Sequence, residues 1–168
     1  MPSKTFTFAA LPKTADELRA LPEAEMKDPF AVAALAVAAL CAYPADKQAS
    51  IEMLNALKGP SKLSPMDEQF IRDRFMDKDY VPRSYFKGAA PANNYTPDTP
   101  YTIEVQESAH SRDQEGEGYL VLYLQSGGAD SARPIKLRTK PSTGEWFLWE
   151  FSGILAGIRI PAAEDAWA

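Results

Sequence analysis

The sequence predicts an α+β domain: a cluster of three to four helices packed on a four- to five-stranded antiparallel meander sheet. Three observations predict it. Up to about residue 78, apolar residues recur at helical spacing or fill one continuous run bounded by caps and prolines. From about residue 101, four short segments rich in Val, Ile, Leu, Tyr, Phe and Trp are separated by turn-forming residues. The two patterns are segregated along the chain rather than alternating, which argues against a parallel βαβ sheet.

The elements follow in order. Thr5, Phe6, Thr7 and Phe8 alternate and predict a short strand joining the later sheet. Thr14 with Glu17 forms a capping box, so a short helix runs from about 15 to 21 and stops at Pro22. Asp28 before Pro29 is an N-cap followed by proline at the first helical position, and the chain then stays apolar on every side until Pro44. A helix apolar all round is central, and its seven alanines from Ala31 to Ala42 let neighbouring elements approach closely. A further helix restarts at Asp46, carries Ile51, Met53, Leu54 and Leu57, and ends at Gly59-Pro60. The next begins at Ser64-Pro65 with Asp67 and Glu68 near its positive end, and Met66, Phe70, Ile71 and Phe75 supply its apolar stripe.

Residues 80–100 are rich in Pro, Gly and Asn yet hold four aromatics, which predicts an ordered loop packed on the body. Strands are expected over about 101–107, 119–125, 134–140 and 145–151. The PSTG at 141–144 between the last two makes a four-residue hairpin loop, with Gly144 suited to a positive φ. The whole chain, 1–168, then reads as one domain: a helical part at about 14–78, the loop 80–100, a β part at about 101–152 and a tail at 153–168.

Closing that hairpin across four residues pairs 140 with 145, 138 with 147 and 136 with 149, and the register assigns faces. Ile135, Leu137, Thr139, Trp146 and Leu148 face the helices with Leu120, Leu122 and Leu124. Lys136, Arg138, Lys140, Glu145, Phe147 and Trp149 face away, joined by Tyr119, Val121 and Tyr123. This second face is aromatic and cationic. It reads either as a recognition surface or as apolar area covered by the 80–100 loop or the tail, with Lys and Arg stems reaching out.

Composition excludes several classes. The 168 residues carry 18 Lys and Arg against 23 Asp and Glu, a net charge of −5, which argues against wholesale binding of nucleic acid or anionic membranes. One Cys, Cys41, cannot form an internal disulfide or half of a Cys-rich metal site. The longest apolar run, Phe30 to Tyr43, is too short to span a bilayer, and the N-terminus lacks the apolar stretch of a signal peptide, so a cytoplasmic location is expected. The only histidine, His110, lies among the residues of an exposed turn, which leaves no triad and no spaced metal-ligand set. SGGAD at 126–130 is a Gly-rich turn without the Lys-Ser or Lys-Thr of a P-loop.

The strings DPFAVAAL, ALCAYP, MLNALKGP, FIRDRFMDKDYVPRSYFKGA, NNYTP, SGGADSARPIKLR and GEWFLWEF resemble an uncharacterised bacterial family, a domain of unknown function found mostly in anaerobic gut Firmicutes. The resemblance spans nearly the whole chain. It implies one intact domain of cytoplasmic type and brings no activity, cofactor or catalytic residue.

Two functions from different classes fit. The first is a non-enzymatic binding module that contacts a protein or a small anionic ligand through Lys136, Arg138, Phe147, Trp149 and Tyr123, together with the loop residues Tyr80, Arg83 and Asn94. The second is a small hydrolase or isomerase-like enzyme with a pocket between the loop and the sheet, using Tyr80, Arg83, Asn94 and Asp130. Neither reading requires a metal or cofactor, and an aromatic sheet face leaves pairing between identical chains open.

Overall fold

The computed structural model describes residues 2–168. It has the predicted α+β architecture, with four helices against a curled five-stranded antiparallel sheet in the order β1-β2-β3-β4-β5. The strands are β1 (Ser3–Phe8), β2 (Tyr101–Gln106), β3 (Tyr119–Leu124), β4 (Arg133–Lys140) and β5 (Glu145–Glu150). The helices are α1 (Ala15–Arg19), α2 (Pro29–Cys41), α3 (Lys47–Lys58) and α4 (Pro65–Phe75).

Each helix starts where a side chain satisfies the first free amides. Thr14 accepts from the Glu17 amide at 3.1 Å, Asp28 from Phe30 at 2.9 Å and Asp46 from Ala49 at 3.0 Å. Ser64 and Asp67 close a reciprocal capping box at 3.0 and 2.9 Å. Helix α2 is the central element. Every residue from Val32 to Leu40 is 0% exposed, and the helix touches all five strands as well as α3.

Two expectations need correction. Met66 is not part of a buried stripe: it is 80% exposed, while Ile71 and Phe75 make the core contact of α4. Residues 71 and 75 form one i, i+4 row against the body, Phe70 packs half-buried against the core beside them, and Met66 alone, in the first turn, is left at the surface. The β4–β5 register also departs from the simple hairpin. Lys140 pairs with Glu145 and Arg138 with Phe147 as expected, but Lys136 pairs with Glu150 because of a register shift between Lys136 and Leu137. Trp149 is therefore the extra residue of a β-bulge. Gly144 turns the hairpin at φ +74°, as its position demands.

The 80–100 loop is ordered and packed. Tyr80, Tyr85, Phe86 and Tyr95 join the core, and Tyr80 stacks on Tyr95 with ring centroids 5.1 Å apart. Strands β2 and β3 pair only at Val105–Gln106, and the loop occupies the fork between them. There the Lys87 amide donates to the Thr102 carbonyl at 2.8 Å, and Gly127 donates to Ser84 at 2.9 Å. The loop thus joins the core and the β2 side of the sheet and does not cover Arg138 or Trp149.

Because α2 is enclosed on every side, Ala38→Leu has nowhere to place its added methylenes. Urea unfolding should show a loss of about 1–3 kcal/mol, the usual cost of overpacking a dense core, and an unchanged midpoint would contradict this packing.

Candidate functional site

The outer face of the β4–β5 hairpin meets the turn after α3 in a cleft of ≈ 300 Å³. Lys58, Pro60 and Ser61 form one wall; Arg138, Lys140, Phe147 and Trp149 form most of the other. Three cations and two aromatic rings converge there, and no carboxylate lines the cleft.

The wall from α3 depends on Gly59. Its φ of +60° favours glycine, and a Cβ at this position would lie 2.5 Å from the Phe147 ring. The chain can therefore leave α3 with its backbone against Phe147. One residue earlier, Lys58 is only 7% exposed. Its ammonium donates to the Trp149 carbonyl at 3.0 Å and lies 5.9 Å from the centre of the Trp149 ring. That carbonyl belongs to the bulged residue of an edge strand, so the bulge and the buried lysine satisfy one another. Burial pushes the Lys58 pKa below the ordinary lysine value, opposed by Asp67 and Glu150.

On the other wall, the Arg138 guanidinium lies 4.6 Å from the Trp149 ring centre and 5.5 Å from that of Tyr119. Lys136 caps the same Tyr119 ring at 4.6 Å. Stacking holds the Arg138 side chain in place without engaging its N–H donors, and among the described residues Lys136, Arg138 and Lys140 form no ion pair. Other arginines contrast with this. Arg83 donates to the Tyr95 and Asn94 carbonyls at 2.9 and 3.0 Å, Arg133 to Ala156 and Gly157, and Arg159 to Asp130.

The structure therefore separates the residues singled out in the sequence. Arg138, Phe147 and Trp149 line one cleft, Lys136 stands beside it on Tyr119, and Tyr123 lies further along β3 opposite Pro134. Tyr80, Arg83 and Asn94 do not reach it. Tyr80 is in the core, Arg83 is engaged by loop carbonyls, and Asn94 adopts a left-handed turn conformation at φ +57°. Asp130 pairs with Arg159 at 2.9 Å, away from the cleft. The two glycine amides of the SGGAD turn are taken by Ser84 and Ser126, so they form no anion cradle. His110 contacts Asp113 at 3.0 Å, but its side chain is 83% exposed.

Lys58 was missed as a site residue, although a signal exists. It extends the row of Ser50, Met53, Leu54 and Leu57 along the buried face of α3, and a lysine at such a position has a reason to be there. A larger concavity of ≈ 480 Å³ lies at the β2–β3 fork between Ser84–Ala89, Thr102, Glu104 and Gln125. Its two serines are committed to the fold, with Ser126 donating to Ser84 at 2.7 Å and Ser84 to the Val81 carbonyl at 2.6 Å.

Two outcomes test these assignments. Arg83→Leu should cost about 1–3 kcal/mol through lost charge-assisted hydrogen bonds in a thermal melt, without altering the cleft. The Tyr80 hydroxyl is buried with no hydrogen-bond partner, and burial raises its pKa above 10.0. The folded state therefore holds that proton more tightly than the unfolded chain, so its contribution is intact below pH 10 and is lost as pH rises through the folded value. Tyr80→Phe should be neutral or stabilising by up to about 1 kcal/mol at pH 7. It should also flatten part of the alkaline loss in stability; a loss of several kcal/mol at pH 7 would mean that the hydroxyl has a partner.

No curated protein matches the sequence, and no solved structure matches it. Residues 10–162, which include the α3 wall, the sheet strands β2 to β5 and both sides of the cleft, match the family described as a domain of unknown function, DUF6935, and the chain belongs to that family.

Proposed function

We propose that the protein is a non-enzymatic cytoplasmic binding module, and that the cleft between the α3 turn and the β4–β5 hairpin engages an anionic group on its ligand or partner. The observation that carries this reading is Arg138. Its guanidinium rests against two neighbouring rings with its hydrogen-bond donors unspent, beside Lys58 and Lys140, and no carboxylate lines the cleft. A positively charged group already ordered by stacking loses little freedom when an anion arrives, so more of the electrostatic gain appears as affinity. The setting favours a small anion over an extended polyanion such as a nucleic acid, because the chain as a whole is acidic with a net charge of −5. The cytoplasmic assignment rests on the lone Cys41: a fold that uses no disulfide suits a reducing compartment. No helix among the described residues is long and apolar enough to cross a membrane.

Titration with tripolyphosphate, followed by amide and indole NMR signals, tests the reading. Shifts should concentrate at residues 58–61, 138–141 and 147–149. The double variant Arg138→Gln, Lys140→Gln should weaken binding about tenfold or more, the scale expected on losing one or two charge-assisted contacts. Shifts confined to other surfaces, or an unchanged affinity in the double variant, would remove this cleft from consideration.

A further inference from the structure

We infer that the cleft takes a small aryl phosphate monoester, with its phosphoryl group among Lys58, Arg138 and Lys140 and its ring against Phe147 and Trp149; this rests on the anion-binding reading above. Three features of the site select that class.

The first is a buried cation with donors to spare. Lys58 is 7% exposed, yet its ammonium has one protein acceptor, the Trp149 carbonyl at 3.0 Å. An ammonium carries three N–H donors, so two are left for a ligand oxygen. Lys58 and Trp149 stand between this cleft and an adjoining hollow; Asp67 on α4 and Glu150 on β5, the carboxylates that raise the proton affinity of Lys58, line that hollow with them and do not line this cleft.

The second is charge count. Lys58, Arg138 and Lys140 put three positive charges around a space lined by no acid. A single carboxylate would leave two of them unanswered. A phosphate monoester carries about 1.5 to 2 negative charges near neutral pH and offers three acceptor oxygens, which matches a guanidinium fork and two ammonium groups.

The third is the shape and chemistry of the rest. The cleft is ≈ 300 Å³, and its remaining lining is Pro60, Pro141, Phe147 and Trp149 with Ser61 and Thr139. That volume is at the lower end for small-molecule sites and suits one ring rather than an extended chain. Flat apolar walls beside a phosphate-binding group favour a planar substituent on the phosphate over a polyol, whose hydroxyls would find only Ser61 and Thr139 as side-chain partners.

Calorimetric titration of the full chain with phenyl phosphate, inorganic phosphate, benzoate and a phosphotyrosyl heptapeptide tests the inference. Phenyl phosphate should bind about tenfold more tightly than inorganic phosphate or benzoate, corresponding to one good ring contact or one further charge-assisted contact. Lys58→Met and Arg138→Gln should each reduce that affinity at least about tenfold. Arg138 is exposed on the sheet surface, so Arg138→Gln keeps the test valid if the change at the buried Lys58 disturbs folding. Equal affinity for benzoate would overturn the phosphate assignment, and equal affinity for inorganic phosphate would overturn the aryl assignment; either result leaves the anion-binding reading standing. Tenfold tighter binding of the phosphopeptide would transfer the site from a small molecule to a peptide and overturn the inference. Binding of none of the four, together with a flat tripolyphosphate titration, would remove the anion-binding reading as well.

Discussion

The structure depends on one helix with almost no side-chain bulk. From Val32 to Leu40, α2 offers only alanine, valine and leucine, and all of it is out of water. Small side chains let the sheet and α3 approach the helix backbone from several directions at once, so one helix can serve as the common core for five strands. The helix cannot supply its own amphipathic guidance, since no face of it is polar. Direction comes from its ends, where Asp28 and Pro29 set the start and the turn before Asp46 sets the exit.

With the inner face of the sheet satisfied by α2, the outer face of β3 to β5 has no helix of its own. Tyr119, Phe147 and Trp149 are left half-buried there, and the chain covers them with cations: Lys136 and Arg138 over Tyr119, Arg138 and Lys58 at Trp149. Long basic side chains shield apolar rings while their charged ends stay wet. The same arrangement that solves a solvation problem concentrates positive charge in an otherwise acidic protein. The β5 edge is protected by comparable means. The Trp146 amide is taken by the Met26 carbonyl at 2.7 Å, and the Trp149 carbonyl is taken by Lys58.

The polar residues of the 80–100 loop meet a different demand. A loop this long that enters the core must satisfy its own backbone. Arg83 bridges the Asn94 and Tyr95 carbonyls, Asn93 both donates to the Gly88 carbonyl and accepts from the Ala90 amide, and the Tyr85 hydroxyl donates to the Ile154 carbonyl. Arginine, asparagine and tyrosine are also the residues that build ligand pockets, so composition by itself could not tell the two uses apart. The difference lies in whether the donors are spent. Arg83 spends two of its donors on loop carbonyls; Arg138 spends none on the protein.

The helices, the strands, their antiparallel order and the two faces of the last hairpin are legible in the amino-acid pattern. These follow from local rules, namely capping at Thr14, Asp28, Asp46 and Ser64, breaks at proline and glycine, and alternation along β3 to β5. Long-range packing sets what local rules do not reach. The bulge that moves Lys136 from Trp149 to Glu150 depends on what meets the β5 edge, and the surface position of Met66 depends on which row of α4 the core accepts. The partnership of Lys58 with Trp149 joins residues 91 positions apart, a distance over which periodicity carries no information. The cleft exists because Gly59 lets the end of α3 lie against Phe147, and contacts of that kind are set by packing geometry rather than by the pattern of either segment.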